Sequence, residues 1–531
     1  MKTIQEILAT KRAARNQNII LVPAQKEEQK HESFSMSIVL NSEQQMAVDL
    51  AMAGKSFCII GKAGTGKTTS ERNIIKTILQ RIQSRHIFRI QGMGSTQEGP
   101  GVAVVSYTRV AAGNSRKAIF KDPLLEDQIP HNITTIHNLL EYAPEIYWCE
   151  KDQKEKKRFT PKRNINNPIT ISTLIIEEAS MVDLPLWDKV KEAMLYGIQV
   201  ILIGDINQLP PVFGPSILNY GLVQFPIIEL KTIYRQKDDS IVLKNAHNIL
   251  DGKPLEESQD FKIYRMGDVQ HGQMKTSIMI AKTLRAWYSR GEYDPENDIV
   301  LSPFNKQDLG TTNMNAHIAQ FIGEKRDAKI VHIIAGIRSI YIAEGDDILY
   351  QKIRGKIIEI KRNFRYFGKA PKTGLLDRFG NIHGKSIEDH EEETEETFEM
   401  TEDTNPDELT HQASHIVKIE LETGEVISLQ KTGDLSEANF QLAYCLTIHK
   451  AQGSEWKRVI LILHKDHSIM AFNELLYTAV TRAREQVVIF AKDFMLQKCI
   501  ETRRIKGSSL KSKIEYFNAN LALEDYNVLP F

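Results

Sequence analysis

No two of the four cysteines, Cys58, Cys149, Cys445 and Cys499, form a C-x-x-C pair. That spacing argues against a ribbon-type zinc site and against a disulfide framework, and it fits a reducing compartment. No apolar run approaches the roughly 20 residues needed to span a bilayer. The opening stretch, Met1 to Arg15, lacks the continuous apolar segment of a secretory signal. Residues 1–36 therefore read as a polar arm, solvated or partner-binding, and a cytoplasmic protein with no membrane attachment is expected. Net charge is lacking too, since 68 Lys and Arg balance 68 Asp and Glu. Neither sign selects a partner, although a local basic groove can coexist with acidic surface elsewhere. There is no internal repeat. The chain has 531 residues, too many for one hydrophobic core, so about two to four domains are expected.

What is present is an α/β pattern. Short continuous apolar runs, Phe57–Ile60, Val102–Val105, Leu174–Ile176 and Val200–Ile203, alternate with helical stretches from residue 37 onward. Runs without polar alternation are what a parallel sheet covered on both faces requires. Two stretches interrupt the pattern. Residues 145–170 mix Tyr147, Trp148 and Phe159 with seven Lys and Arg, and residues 346–439 are richer in β-type residues. The second interruption contains an acidic block within 388–408, which self-repels and reads as a solvated loop.

Residues 61–68 read G-K-A-G-T-G-K-T, after a strand and before a helix. Glycines there let backbone N–H groups turn inward around phosphates, and the helix N-terminus favours anions. This phosphate loop assigns Gly61, Lys62, Ala63, Gly64, Thr65, Gly66, Lys67, Thr68 and Thr69 to nucleotide binding. Lys67 reaches the β- and γ-phosphates and Thr68 offers its hydroxyl to Mg²⁺. The run Leu174–Ile176 ends in two carboxylates, Glu177 and Glu178. With a phosphate loop present, the expected arrangement puts this strand beside the loop's own strand. Glu177 then holds Mg²⁺ through water and Glu178 polarises the attacking water.

Further stretches narrow the class. Residues 134–140 read T-T-I-H-N-L-L, 204–212 read G-D-I-N-Q-L-P-P-V and 229–236 read E-L-K-T-I-Y-R-Q. Near the C-terminus stand L-T-I-H-K-A-Q-G-S-E (446–455) and L-L-Y-T-A-V-T-R-A-R (475–484). In this order they resemble the motifs of superfamily 1 helicases over about 40–490. The G-D-x-x-Q-L-P-P-V form is similar to the superfamily 1B branch of RecD and phage Dda, whose members move 5′ to 3′ on DNA.

The resemblance implies two RecA-like motor domains with parallel sheets. The first spans 37–224, with a small pin insertion at 145–170. The second spans 225–345 and 440–531, with a β-rich, SH3-like insertion at 346–439. It implies ATP and Mg²⁺ as cofactors, Gln44 on the adenine, Gln208 as γ-phosphate sensor, and Arg235 and Arg482 as arginine fingers. Thr135, His137, Thr447 and His449 would line the single-strand track, with Phe159 at the pin tip or stacking on a base and Trp148 as its alternative. The implied partners are single-stranded DNA, a duplex fork and replication or single-strand-binding proteins, and the implied state is a monomer acting in replication, recombination or repair. Two alternatives stay open: an RNA helicase, and a single-strand-binding loading factor whose ATPase is weakened because Glu177 replaces the family's usual Asp. Magnesium's tight octahedral geometry makes that extra methylene matter.

Overall fold

The computed structural model describes residues 40–82, 87–92, 95–149, 154–211, 214–232, 240–266, 275–326, 329–333, 338–350, 353–363, 412–421, 426–431, 433–435, 439–507 and 509–521. The arm at 1–36, the acidic block within 388–408 and Arg235 lie outside the described residues.

The first lobe is built on a six-stranded parallel sheet. Its spatial order is Ile227–Leu230, Phe57–Gly61, Gln199–Gly204, Thr173–Glu177, Val102–Ser106 and Ile133–Thr135. The continuous apolar runs explain it: Leu174, Ile175 and Ile176 are wholly buried, their side chains alternating between the two faces. Each such residue contributes roughly 1.5–3 kcal/mol of transfer free energy. The order corrects one expectation, because the carboxylate strand Thr173–Glu177 is separated from the phosphate-loop strand by Gln199–Gly204. The interposed strand carries the G-D-I-N-Q segment at its C-terminal end, so three functional segments emerge side by side. Ile227–Leu230, expected to begin the second lobe, instead pairs with the phosphate-loop strand as an edge of the first.

The second lobe has a five-stranded parallel sheet in the order Phe261–Arg265, Ala483–Ala491, Trp456–Leu463, Asp298–Ser302 and Cys445–Thr447. The β-rich stretch forms a separate five-stranded antiparallel sheet from Asp347–Tyr350, Ile353–Arg362, Gln412–Leu421, Val426–Lys431 and Phe440–Leu442. It has its own small core around Ile348, Val417 and Leu429.

The basic, aromatic insertion is an antiparallel hairpin, Ala143–Cys149 with Lys154–Thr160. Phe159 lies opposite Pro144 at its base, so it is not the tip residue. Trp148, paired with Glu155, is close to the turn. Ile146, Trp148 and Phe159 occupy one face by strand alternation, and all three are exposed. A second hairpin, Ile87–Gly92 with Ser95–Pro100, has no counterpart in the sequence reading.

The C-terminal helix Leu510–Asn520, expected to complete the second lobe, packs on the first. Leu510, Ile514 and Phe517 recur at helical spacing and join the core that contains Tyr220 and Trp187. Among the described residues no helix is long and apolar enough to cross a membrane.

Candidate nucleotide site and nucleic-acid track

The phosphate loop runs from strand Phe57–Gly61 into helix Lys67–Arg81. Gly64 and Gly66 have φ of 83° and 79°, a left-handed backbone that L side chains rarely adopt. Thr65 donates its hydroxyl proton to Lys62 O at 2.9 Å, closing the loop. Lys67 Nζ donates to Gly61 O at 2.7 Å and Lys62 O at 3.0 Å. Its ammonium therefore lies inside the loop, where a phosphate oxygen would compete with two carbonyls.

Glu177 closes its strand opposite Ser106, and Glu178 follows with φ 49° and ψ 42°. A non-glycine residue in that region costs about 1–3 kcal/mol and such strain collects at functional sites. Glu178 Oε2, Gln208 Oε1 and Ser106 Oγ are buried without hydrogen-bond partners. Orphaned oxygens of this kind cost roughly 1–3 kcal/mol each unless a ligand or water satisfies them. The hydroxyl of Thr68, the carboxylates and nucleotide phosphates make a set of hard oxygen donors with few protein ligands, which fits Mg²⁺.

Glu71, which sequence reasoning missed, lies wholly buried on the phosphate-loop helix four residues after Lys67. Among the described residues its oxygens meet no donor other than the Glu177 carboxyl beside it. Burial first, and then Glu177, hold the Glu71 carboxyl well above the usual carboxylate range. Loss of solvent and repulsion by Glu178 raise Glu177 as well, against the opposing pull of the Glu71 hydrogen bond and Lys67. Two carboxyls in contact share a proton rather than both ionise. The i, i+4 spacing from Lys67 could have flagged Glu71 as facing the sheet.

Gln44 is buried in a capping box. Its N–H donates to Asn41 Oδ1 at 2.8 Å, and its Oε1 accepts from Asn41 N at 3.1 Å. The side-chain oxygen expected to read adenine is thus occupied by a helix cap, which leaves the amide N–H₂.

The second lobe meets this site through helix Asn473–Val480. Tyr477 Oη donates to Asp205 Oδ2 at 2.7 Å, accepts from Ala63 N at 3.4 Å, and is buried. Thr478 Oγ1 accepts from Leu209 N at 2.9 Å, and Gln452 Nε2 donates to Leu209 O at 3.0 Å. Asn114 Nδ2 donates to Gly453 O at 2.6 Å. Gly453 has φ 79°, and a Cβ there would lie 2.9 Å from Ala111 Cβ, so only glycine permits this approach. Arg482 is buried but turned into its own lobe, with Nε donating to Thr478 O at 3.2 Å and Nη1 to Ser454 O at 3.4 Å. Expected as a finger into the cleft, it lies instead against backbone carbonyls of its own lobe.

The two Thr-x-His segments end equivalent edge strands, Ile133–Thr135 in one sheet and Cys445–Thr447 in the other. Thr135 Oγ1 accepts from Asn138 N at 3.1 Å and Thr447 Oγ1 from Lys450 N at 3.3 Å. Each hydroxyl thus caps the turn that follows its strand. His137 packs edge-on against Tyr107 and Tyr142 at centroid distances of 6.0 and 5.0 Å. Burial and Arg504 lower the pKa of His449, which keeps its imidazole neutral.

A parallel-sheet lobe carrying a phosphate loop, apposed to a second such lobe through the loops at its strand ends, is a two-lobed P-loop architecture. Residues 44–214 match the AAA domain family and residues 442–490 the UvrD-like helicase C-terminal domain. The chain is 25% identical over 447 residues to the ATP-dependent RecD2 DNA helicase of Deinococcus radiodurans, covering 84% of this chain and 48% of the relative. It is 24% identical over 476 residues to the RecBCD enzyme subunit RecD of Buchnera aphidicola, covering 84% and 72%. The Bacteroides Pif1 structure bound to ssDNA aligns with 87% of this chain and 94% of that one, at 17% identity and a TM-score of 0.43. These matches make the chain similar to the RecD group of helicases over most of its length. It spans about half the length of the Deinococcus relative.

Proposed function

We propose that this protein is an ATP-dependent DNA helicase that moves 5′ to 3′ on single-stranded DNA and separates duplex ahead of it. The observation that carries the reading is the convergence of Lys67, Glu178, Gln208 and Tyr477 where the two lobes meet. ATP would displace Gly61 O and Lys62 O from Lys67, and its γ-phosphate would approach the unpartnered Glu178 and Gln208 oxygens. Glu178 can accept a proton from an attacking water that the Gln208 amide oxygen helps to orient. Bound Mg²⁺, held by Thr68 and through water by Glu177, would supply charge neutralisation at the phosphates.

In this reading Arg482 leaves its carbonyl partners for the developing charge. Arg235 would join it as the second finger. Closure on ATP and reopening after hydrolysis would then shift the two Thr-x-His segments relative to one another along the strand. The strongly acidic environment of Glu177 favours a second reading, a single-strand-bound remodelling factor with slow turnover.

Partial duplexes with either a 5′ or a 3′ single-stranded tail, incubated with ATP and Mg²⁺, decide between them. Unwinding of the 5′-tailed substrate alone is expected, with Lys67→Ala inactive but folded. Unwinding of only the 3′-tailed substrate overturns the polarity. Strand binding without ATP-dependent unwinding supports the remodelling factor.

A further inference from the structure

The C-terminal segment crosses the cleft between the lobes. Thr502 O accepts from Asn473 N at 2.7 Å, and the Glu474 carboxylate accepts from Arg504 N at 3.1 Å and Ile505 N at 2.9 Å. These bonds fix residues 502–505 to the helix that carries Tyr477. Beyond them the chain turns at Gly507, φ 112°, and enters helix Leu510–Asn520 on the first lobe. A Cβ at Gly507 would lie 2.7 Å from Ser512 Oγ and 2.9 Å from Lys513 N, so the turn requires glycine.

Lys513 is the polar residue on the buried face of that helix, only 5% exposed. A buried ammonium ordinarily needs a carboxylate partner. Among the described residues Lys513 forms no ion pair, and its Nζ donates to Asn207 Oδ1 at 2.6 Å. Burial brings its pKa down to about 8; Glu474 and Asp205 oppose the shift, while Arg503 and Lys62 add to it. Asn207 in turn donates its N–H and Nδ2 to Asp205 Oδ1 at 2.9 and 3.0 Å. Asp205 Oδ2 accepts from Tyr477, whose Oη accepts from Ala63 N. A continuous line of hydrogen bonds thus joins the C-terminal helix, the turn that presents Gln208, the second lobe and the phosphate loop.

We propose that Lys513 is a positioning residue for ATP turnover: it holds Asn207 and thereby sets the Asp205–Gln208 turn against the nucleotide. The proposal rests on the ATPase reading above, but its physical core, the clamping of the turn, is measurable without it. A lysine that served only to pack the helix would be better replaced by an apolar side chain, since burying the charge is costly. The cost is understandable if the ammonium does something for the turn.

The test is Lys513→Met in the full chain, which keeps an unbranched stem and removes the charge. Amide hydrogen exchange at Asn207–Leu209 is expected to quicken by about tenfold, the loss of one charge-assisted hydrogen bond. Single-strand-stimulated turnover is expected to fall by about tenfold with KM for ATP within about twofold, while the thermal midpoint holds or rises. Asn207→Ala should reproduce the loss of turnover, and the double variant should be no worse than either single one. Unchanged exchange overturns the clamp. Faster exchange with unchanged turnover overturns the positioning role. Loss of turnover matched by loss of folded protein makes Lys513 merely structural and overturns it too. If the unaltered protein hydrolyses no ATP, the helicase reading fails by itself, and exchange at Asn207–Leu209 still decides whether Lys513 holds the turn.

Discussion

Tyr477 of the second lobe places its hydroxyl 2.7 Å from Asp205 Oδ2 of the first, across 272 residues of sequence. Asp205 is wholly buried, so this hydroxyl is one of the groups that make its carboxylate tolerable there. Burial first, and then Asp205, hold the Tyr477 phenol well above its ordinary value, so it remains a donor throughout the working pH range.

Tyr477→Phe removes that donor and the acceptor for Ala63 N while keeping the ring. Leaving a buried charged acceptor short of a partner costs roughly 1–3 kcal/mol. The expected outcome is a lower denaturation midpoint and a turnover reduced about tenfold, the latter from a cleft that closes less completely. Stopped-flow ATPase measurements and urea titration read the two effects separately.

The two adjacent carboxylates should separate by role. Glu178→Gln is expected to bind Mg·ATP and hydrolyse it very slowly, trapping a long-lived complex on single strands. Glu177→Gln is expected to weaken Mg²⁺-dependent nucleotide binding. Glu177→Asp, shorter by one methylene, should be tolerated or faster, because a compact carboxylate suits octahedral coordination. Fluorescent-nucleotide titrations with and without Mg²⁺ distinguish these outcomes, and three unchanged variants would leave the pair without a role in nucleotide chemistry.

Arg482→Lys is expected to lower turnover by about a thousandfold with little loss of ATP binding. Lysine keeps the charge and loses the forked geometry. It also cannot reproduce the two separate bonds to Thr478 O and Ser454 O, so a modest loss of stability should accompany it. Single-turnover hydrolysis beside equilibrium binding is the appropriate comparison.

Glu71 gives a pH signature. Burial, and then Glu177, hold its folded pKa well above the ordinary glutamate range. The native state therefore holds a proton that the unfolded chain releases, and stability falls as pH rises from about 4.5 toward the folded value. Glu71→Gln keeps the shape without the titration and should flatten that decline. Denaturant midpoints measured between acid and mildly alkaline pH, for both proteins, test it.

The phosphate loop was legible because all its chemistry is contiguous: the glycines, Lys67 and Thr68 fall within eight residues, and the strand before them is uniformly apolar. The placement of Gln208 and Glu178 together followed from family likeness. The strand between their neighbours did not, since sheet order depends on crossovers that no local pattern records. Tyr477 and Asp205 each stood inside a quoted motif, yet their pairing needed the fold. The C-terminal helix carried a readable signal, the Leu510, Ile514, Phe517 stripe after the cap Ser509, but a stripe does not say which lobe it covers. Gln44 and Arg482 took their expected roles from family likeness alone, and in this structure both spend their polar groups locally.

The route of the chain has a mechanical consequence. It passes from the first lobe to the second after Leu230 and returns between Thr502 and Leu510. Two bodies joined by one flexible cord can swivel freely, whereas two bodies joined at two separated points are restricted to rotation about the line through them. Gly507 lies on one of those points. In the proposed cycle any stroke would be closer to a door on two hinges than to a ball in a socket, and cutting the chain between Thr502 and Leu510 would leave the halves together while freeing a motion that this second crossing restricts.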